Sequence, residues 1–390
     1  MKHSTDRILT THAGRLDGPP DYREMMAGMM SGKGVDLAAL KPRVRSAIAD
    51  VLRKQADAGI DIVSDGELGK AGFGIGYYGR RLSGLSTRKL KPGESAFMTL
   101  QTGERLEFAD FYAQLPFMAP TEERAIVSGP IQFTGEEEVR GDLETFRAAL
   151  AESGTKPVET FMCVLAPGWL EHFFFNEYYG SDEDYIFALA EAMRPEYKAI
   201  VDAGFVLQID DPALPDTFDM IVPNPTIAEY RKFAEVRVEA LNQALRGLPE
   251  DRVRYHICWG SWHGPHTHDL PLEYVVDLML KITAGAYSLE AANPRHEHEW
   301  KIWRDVKLPE GKILIPGVVT HHTNVVEHPE LVADRIVRYA ELVGKENVVA
   351  GTDCGMGFRV HPQIAWAKLK ALAEGAELAS RQLWGARAGV

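Results

Sequence analysis

The chain holds three cysteines, and two of them stand where metal chemistry is possible. His256-Ile257-Cys258 closes an apolar run that reads as a strand. Residues two apart on a strand share a face, so the imidazole and the thiol can reach one point. Glu290 ends a second such run, in SLEAANPR, and Cys354 follows a third, in AGTDCGMG. Two thiolates, one imidazole and one carboxylate form a borderline-soft tetrahedral donor set for Zn2+. With a neutral histidine that centre carries a formal charge of about −1, so it polarises water less than an all-imidazole zinc site. It suits a different task, holding an incoming thiol as thiolate while leaving electron density on the sulfur. Structural zinc sites usually show C-x-x-C pairs in compact loops, and this sequence has none. Cys163, inside the apolar run FMCVL, reads as core.

These residues need elements that bring strand ends together. Candidate strands lie at Ile8 to Gly14, Ile60 to Gly66, Ala125 to Phe133, Val158 to Leu165, Phe205 to Asp210, Val253 to Trp259, Ala286 to Glu290, Ile313 to Val319 and Asn347 to Asp353. Most are unbroken apolar runs, the pattern of strands covered on both faces. Helical periodicity fills Arg43 to Ala58, Asp182 to Ala203, Thr226 to Arg246, Leu272 to Ala284 and Pro329 to Val343. Several stop at glycine: Gly59, Gly204, Gly247, Gly285 and Gly344. Repeated β–α units predict an α/β fold, and two observations favour a (β/α)8 TIM barrel over a doubly wound sheet. Polar residues gather where strands end, the position of barrel active sites. The turn after the first strand offers only Ala13-Gly14 and no glycine-rich phosphate loop. Nine strand candidates exceed eight barrel slots, so Ala125 to Phe133 is assigned to an inserted hairpin. The stretch from about 69 to 125 reads as an insertion near the barrel mouth, and the chain from 1 to 390 as one barrel domain.

The 390 residues carry a formal net charge of −13. That argues against nucleic acid or an anionic membrane as a partner, though not against a small anionic substrate. So few cysteines argue against a disulfide framework, and MKHSTDRILTTHAG lacks the apolar core of a signal peptide. With no apolar run of about 18 residues, the expected setting is cytoplasmic. A homo-oligomer would be unsurprising, but no residue demands it.

TTHAG at 10–14, SDGE at 64–67, QIDDPAL at 208–214, HICWG at 256–260, SLEAANPR at 288–295 and GTDCG at 351–355 occur in one order over nearly the whole chain. In these motifs the sequence resembles the C-terminal catalytic barrel of cobalamin-independent methionine synthase. It is most similar to the short, single-barrel members of that superfamily, which include an epoxyalkane:coenzyme M transferase. The resemblance implies a zinc-dependent methyl or other alkyl transfer to a thiol such as homocysteine, with a methylated folate as one candidate donor. It implies the same metal ligands, His256, Cys258, Glu290 and Cys354. It also implies that Glu67 and Asp210 hold the ammonium of an amino-acid thiol, and that a histidine before the last cysteine, assigned to His321, handles protons. The family's first loop usually reads G-S-L-P-R-P. Here Arg15 replaces the serine, and a guanidinium there can bind a carboxylate or sulfonate. Other expectations stay open: alkylation of another thiol, such as coenzyme M opening an epoxide, carbon–sulfur cleavage, or a zinc-binding barrel without catalysis. His263, His266 and His268 receive no role.

Overall fold

Eight short apolar runs pair in parallel, and their order around the sheet is that of a barrel. The computed structural model describes residues 1–30, 37–70, 75–98, 102–115 and 122–385. Its strands are β1 (Leu9–Thr10), β2 (Ile62–Ser64), β3 (Leu85–Lys89), β4 (Glu123–Val127), β5 (Glu159–Leu165), β6 (Phe175–Asn176), β7 (Val206–Asp210), β8 (Val253–His256), β9 (Ala286–Leu289), β10 (Ile313–Val319) and β11 (Val349–Thr352). The large sheet runs β1-β11-β10-β9-β8-β7-β5-β2. Its two end strands meet at a seam where Asp61 N–H donates to Thr10 O at 3.2 Å and Thr11 Oγ1 donates to Ile62 O at 3.0 Å. The result is a nearly closed (β/α)8 barrel. Its strands are buried along almost their whole length, which is why they read as apolar runs without alternation.

The extra strand candidate belongs to a side sheet, with β4 between β3 and β6. β3 and β4 form an antiparallel pair from Leu85↔Val127 to Lys89↔Glu123. This is the inserted segment near the mouth; its parts at 71–74, 99–101 and 116–121 lie outside the described residues. Two long helices escape the sequence reading, Glu136–Ser153 and Pro362–Trp384.

The expected helix from Leu272 to Ala284 is not continuous. It breaks into a 3-10 turn at Leu272–Tyr274 and a single turn at Val276–Met279. Val275, at φ −133°, interrupts the run, and Leu272, Val275, Val276, Leu278 and Met279 are all buried instead of lining one stripe. Gly285 therefore stops no helix. It immediately precedes β9, where a Cβ would lie 2.8 Å from Glu250 O.

Candidate active site

β8 ends at His256, and Cys258 lies two residues beyond on the same side. The 350s loop brings Cys354 to the same point. Ligand atoms of His256, Cys258 and Cys354 all lie within 4.8 Å of one another, and the two sulfurs are 3.7 Å apart. Sulfurs each about 2.3 Å from one tetrahedral ion would stand about 3.7–3.8 Å apart. His256 Nδ1 is 3.2 Å from the Ser288 hydroxyl, while its buried Nε2 has no hydrogen-bond partner among the described residues. One ring nitrogen oriented by a hydroxyl and the other left free is the usual preparation of a metal-ligating imidazole. The sulfur spacing and the orphaned nitrogen fit a metal ion held by this trio.

Electrostatics polarise the trio. The contact with Cys258, and then the His256 imidazole, pull the Cys354 thiol well below its ordinary range, whereas the same sulfur contact and burial push Cys258 well above it. Glu290, expected as a fourth ligand, is fully buried and acts electrostatically on Cys258 but does not join the close group of ligand atoms. Its Oε1 accepts from Trp259 N–H at 3.0 Å, its Oε2 accepts from Asn293 Nδ2 at 2.9 Å, and His322 Nε2 lies 3.6 Å from Oε2. Burial opposes its charge, but the contact with His322 and the charge of His296 overcome that and hold the carboxyl below the usual range. His321 is wholly enclosed, its ring 3.9 Å from that of His322, and neither nitrogen has a partner among the described residues. Burial and the His322 charge keep it neutral.

A cavity of about 340 Å³ opens on the trio. His256, Cys258 and Cys354 line it together with Glu67, Asp210 and Arg15. Glu67, Asp210 and Cys163 form a second group with polar atoms within 4.8 Å of one another, so this cysteine borders the site as well as the core. Gln208 Nε2 donates to Asp210 Oδ1 at 2.6 Å and to Cys163 Sγ at 3.3 Å. Burial first, and the Glu67 charge, raise the Asp210 carboxyl to about 7. Glu67 sits at φ +58°, a left-handed conformation that side chains other than glycine rarely adopt outside functional sites. Gly14 allows it: a Cβ there would come 2.9 Å from Glu67 Oε1 and 2.3 Å from Cys163 Sγ.

The sequence reading missed four charged groups here. Arg105, from the insertion, and Arg359, from the loop after β11, line the cavity. So does Asp216, which is buried, with Oδ2 lacking a partner among the described residues. Burial and neighbouring Asp269 raise its carboxyl well above the ordinary range. Lys70 is buried beside Glu67, Asp65 and Asp210, which keep it charged against the cost of burial. None of these four sits in a motif whose spacing announces chemistry. The aromatic wall was missed too. Trp262 lines the cavity, and its Nε1 donates to Tyr112 Oη of the insertion at 2.9 Å.

Fold and donor set together define a barrel that gathers soft ligands, carboxylates and guanidinium groups at the C-terminal ends of its strands. Residues 178–378, just over half of the chain, match the family model for the catalytic domain of cobalamin-independent synthase, and the chain belongs to that family. Methionine synthase from Thermococcus kodakarensis is 27% identical over 353 residues, spanning 87% of this chain and 84% of that one. Methionine synthase from Saccharolobus islandicus is 24% identical over 379 residues, 96% of each chain. Among solved structures, a B12-independent methionine synthase from Shewanella sp. W3-18-1, in complex with selenomethionine, superposes with a TM-score of 0.70 at 20% identity, covering 97% of this chain and 99% of that one.

Proposed function

We propose that this chain is a zinc-dependent alkyltransferase that moves a methyl group onto a thiol, with homocysteine as the leading candidate. The observation that carries the reading is the trio of His256, Cys258 and Cys354, with its orphaned imidazole nitrogen, opening on the same cavity as Glu67, Asp210 and Arg15. His256, Cys258 and Cys354 would hold the ion, with Glu290 as a fourth ligand. Zinc bound there supplies the charge that keeps a thiol sulfur ionised at neutral pH. Membership of the family, and relatives named methionine synthase, support methyl transfer in particular.

The chain's own residues then divide the work. Glu67 and Asp210 take the three donors of the substrate ammonium. Arg15 takes the acid group. The sulfur gains the methyl carbon as the carbon–donor bond breaks, the thiol proton is given up, and the donor's leaving atom takes a proton. Asp216, on the cavity wall with its carboxyl raised by burial and by Asp269, is the group suited to give that proton. Neutral His321, packed on His322, orients the histidine that faces Glu290. A methylated folate is the proposed donor; the cavity falls in the size range of small-molecule sites.

The test is zinc-edge X-ray absorption on the purified, zinc-loaded protein with and without homocysteine, beside a methyl-transfer assay. Two sulfurs at rest and three after homocysteine, with methionine formed from methyltetrahydrofolate, is the expected result. Absence of stoichiometric zinc, or a sulfur count that no thiol alters, overturns it.

A further inference from the structure

Asp353 precedes Cys354 and is wholly buried, and its carboxyl reaches past the neighbouring strand to the one beyond. β11, which leads into it, pairs with β10, and β10 pairs with β9. Asp353 Oδ1 accepts from Ala291 N–H at 2.7 Å and from Ala292 N–H at 2.9 Å, the two residues that follow Glu290 beyond β9. The strand in between is shaped to let it through. A Cβ on Gly317 of β10 would lie 2.3 Å from Asp353 Oδ1 and 2.5 Å from its N and Cα. The β10–β11 register also slips between Gly317 and Val319, so that Val318 is an extra residue where the carboxyl crosses. Such bulges re-aim side chains and gather next to active sites.

The chain of contacts continues. Glu290 Oε1 accepts from Trp259 N–H at 3.0 Å, and Trp259 follows Cys258. Two buried carboxyls therefore link three loops. Each attachment adjoins a residue of the metal reading: Asp353 is next to Cys354, Ala291 next to Glu290, and Trp259 next to Cys258. Ladder bonds between backbones already join neighbouring strands. A side chain that skips a strand adds something else, a fixed relation between the loops at the strand ends. Groups outside a coordination shell orient the ligands inside it, and losing one costs about 10–100-fold in metal affinity.

We propose that Asp353 is a positioning residue of the metal centre: its bridge to the Ala291 and Ala292 amides holds the Cys354 loop against the Glu290 loop and fixes the spacing of the two sulfurs. The proposal rests on the metal-based reading above. Asp353 acts as a hydrogen-bond acceptor, and an uncharged acceptor of the same shape can replace it.

The experiment loads wild type, Asp353→Ala and Asp353→Asn with Zn2+ and, separately, with Co2+. Zinc affinity is read by chelator competition, shell geometry by the visible absorption of bound Co2+, and folding by thermal unfolding of the apo forms. Asparagine keeps a carbonyl oxygen for the two amides, and alanine removes it. Asp353→Ala is expected to bind zinc about 10–100-fold more weakly and to lose the tetrahedral Co2+ bands. Asp353→Asn should stay within threefold of wild type and keep the wild-type spectrum. If Asp353→Ala does not fold, Asp353→Ser takes its place, since its hydroxyl is one bond too short to reach the amides. An alanine or serine variant with wild-type zinc affinity and an unchanged Co2+ spectrum, whatever its Tm, makes Asp353 purely structural and overturns the proposal. An asparagine variant as impaired as alanine makes charge the agent and overturns it equally. A wild type that binds neither ion removes the metal reading and the bridge's role with it, a result distinct from those of the variants.

Discussion

Replacing Cys354 by serine separates a catalytic metal site from a structural one, and the structure sets the size of each effect. A zinc site in a small protein binds with about 10–16 kcal/mol, roughly 3 kcal/mol for each of four ligands. At about 1.4 kcal/mol per decade, loss of one thiolate should weaken zinc about 100-fold. The fold should hardly register the change. Cys354 is partly exposed, its Sγ contacts the ligand sulfur of Cys258 at 3.7 Å, and serine has almost the same shape. An apo-state penalty of about 0.5 kcal/mol is therefore expected, which lowers Tm by only about 0.6 °C in a chain of 390 residues. Linkage amplifies the contrast. Free zinc at 100 times Kd stabilises the native state by about 2.7 kcal/mol, and a 100-fold weaker site leaves about 0.4 kcal/mol at the same concentration. The assays are competition with a fluorescent zinc chelator and thermal unfolding of apo and zinc-loaded forms of wild type and Cys354→Ser. An apo variant that is unfolded, or a zinc affinity within threefold of wild type, would refute this reasoning: the first makes the metal structural, the second removes Cys354 from its shell.

Other predictions follow from neighbouring groups. Gly14→Ala places a methyl 2.3 Å from Cys163 Sγ and 2.9 Å from Glu67 Oε1 at φ +121°; it should cost about 2–4 kcal/mol in unfolding free energy and raise the KM for homocysteine, and a soluble variant with unchanged KM contradicts the Glu67 assignment. Asp216→Asn should lower kcat about 100-fold or more by removing a proton donor while thiol affinity by calorimetry stays within threefold; an unchanged kcat excludes Asp216 as the acid. Burial works against the charge of His266 and His296, but Asp269 for the first, and Asp269 and Glu299 for the second, raise them to about 9 and about 10. Both lie above their ordinary value, so the stability they contribute is complete below about pH 6.5 and is lost as pH rises through 9 to 10. Urea unfolding should show this decline between pH 8 and 10.5, with a shallower one in His296→Gln; a flat wild-type profile there counts against the charged pair.

The barrel was legible because its signals are local. A strand covered on both faces must be apolar throughout, so Phe161 to Leu165 and Ile313 to Val319 are recognisable without knowing their neighbours. A strand that ends in an imidazole or a carboxylate announces the barrel's working face, as at His256 and Asp210. The segment from Leu272 to Ala284 misled for a related reason. Its apolar residues recur at helical spacing, but their burial on several sides allows a broken backbone that periodicity cannot distinguish.

Beyond Arg15, Glu67 and Asp210, the cavity's charge pattern was not legible, because it is a property of closure and not of spacing. Arg15 and Arg359 are separated by nearly the whole chain and become neighbours only when β1 pairs with β11. Arg105 arrives from the insertion, and Lys70 looks like any loop lysine until Glu67, Asp65 and Asp210 surround it. What the sequence does hold is the cost of these placements: Glu67 and Phe358 at positive φ, and Gly355 and Gly357 where Arg15 leaves no room for a Cβ. Conformational cost without a packing benefit marks where the fold serves a ligand. Glu67 and Phe358 lie on the wall of one cavity. The strain at Glu67 accompanies the ammonium side proposed from the motifs, and the strain at Phe358 accompanies the acid side proposed for Arg15. An α-amino-acid thiol carries both groups on one carbon, so two strained residues flanking the same sulfur centre are the arrangement such a substrate requires.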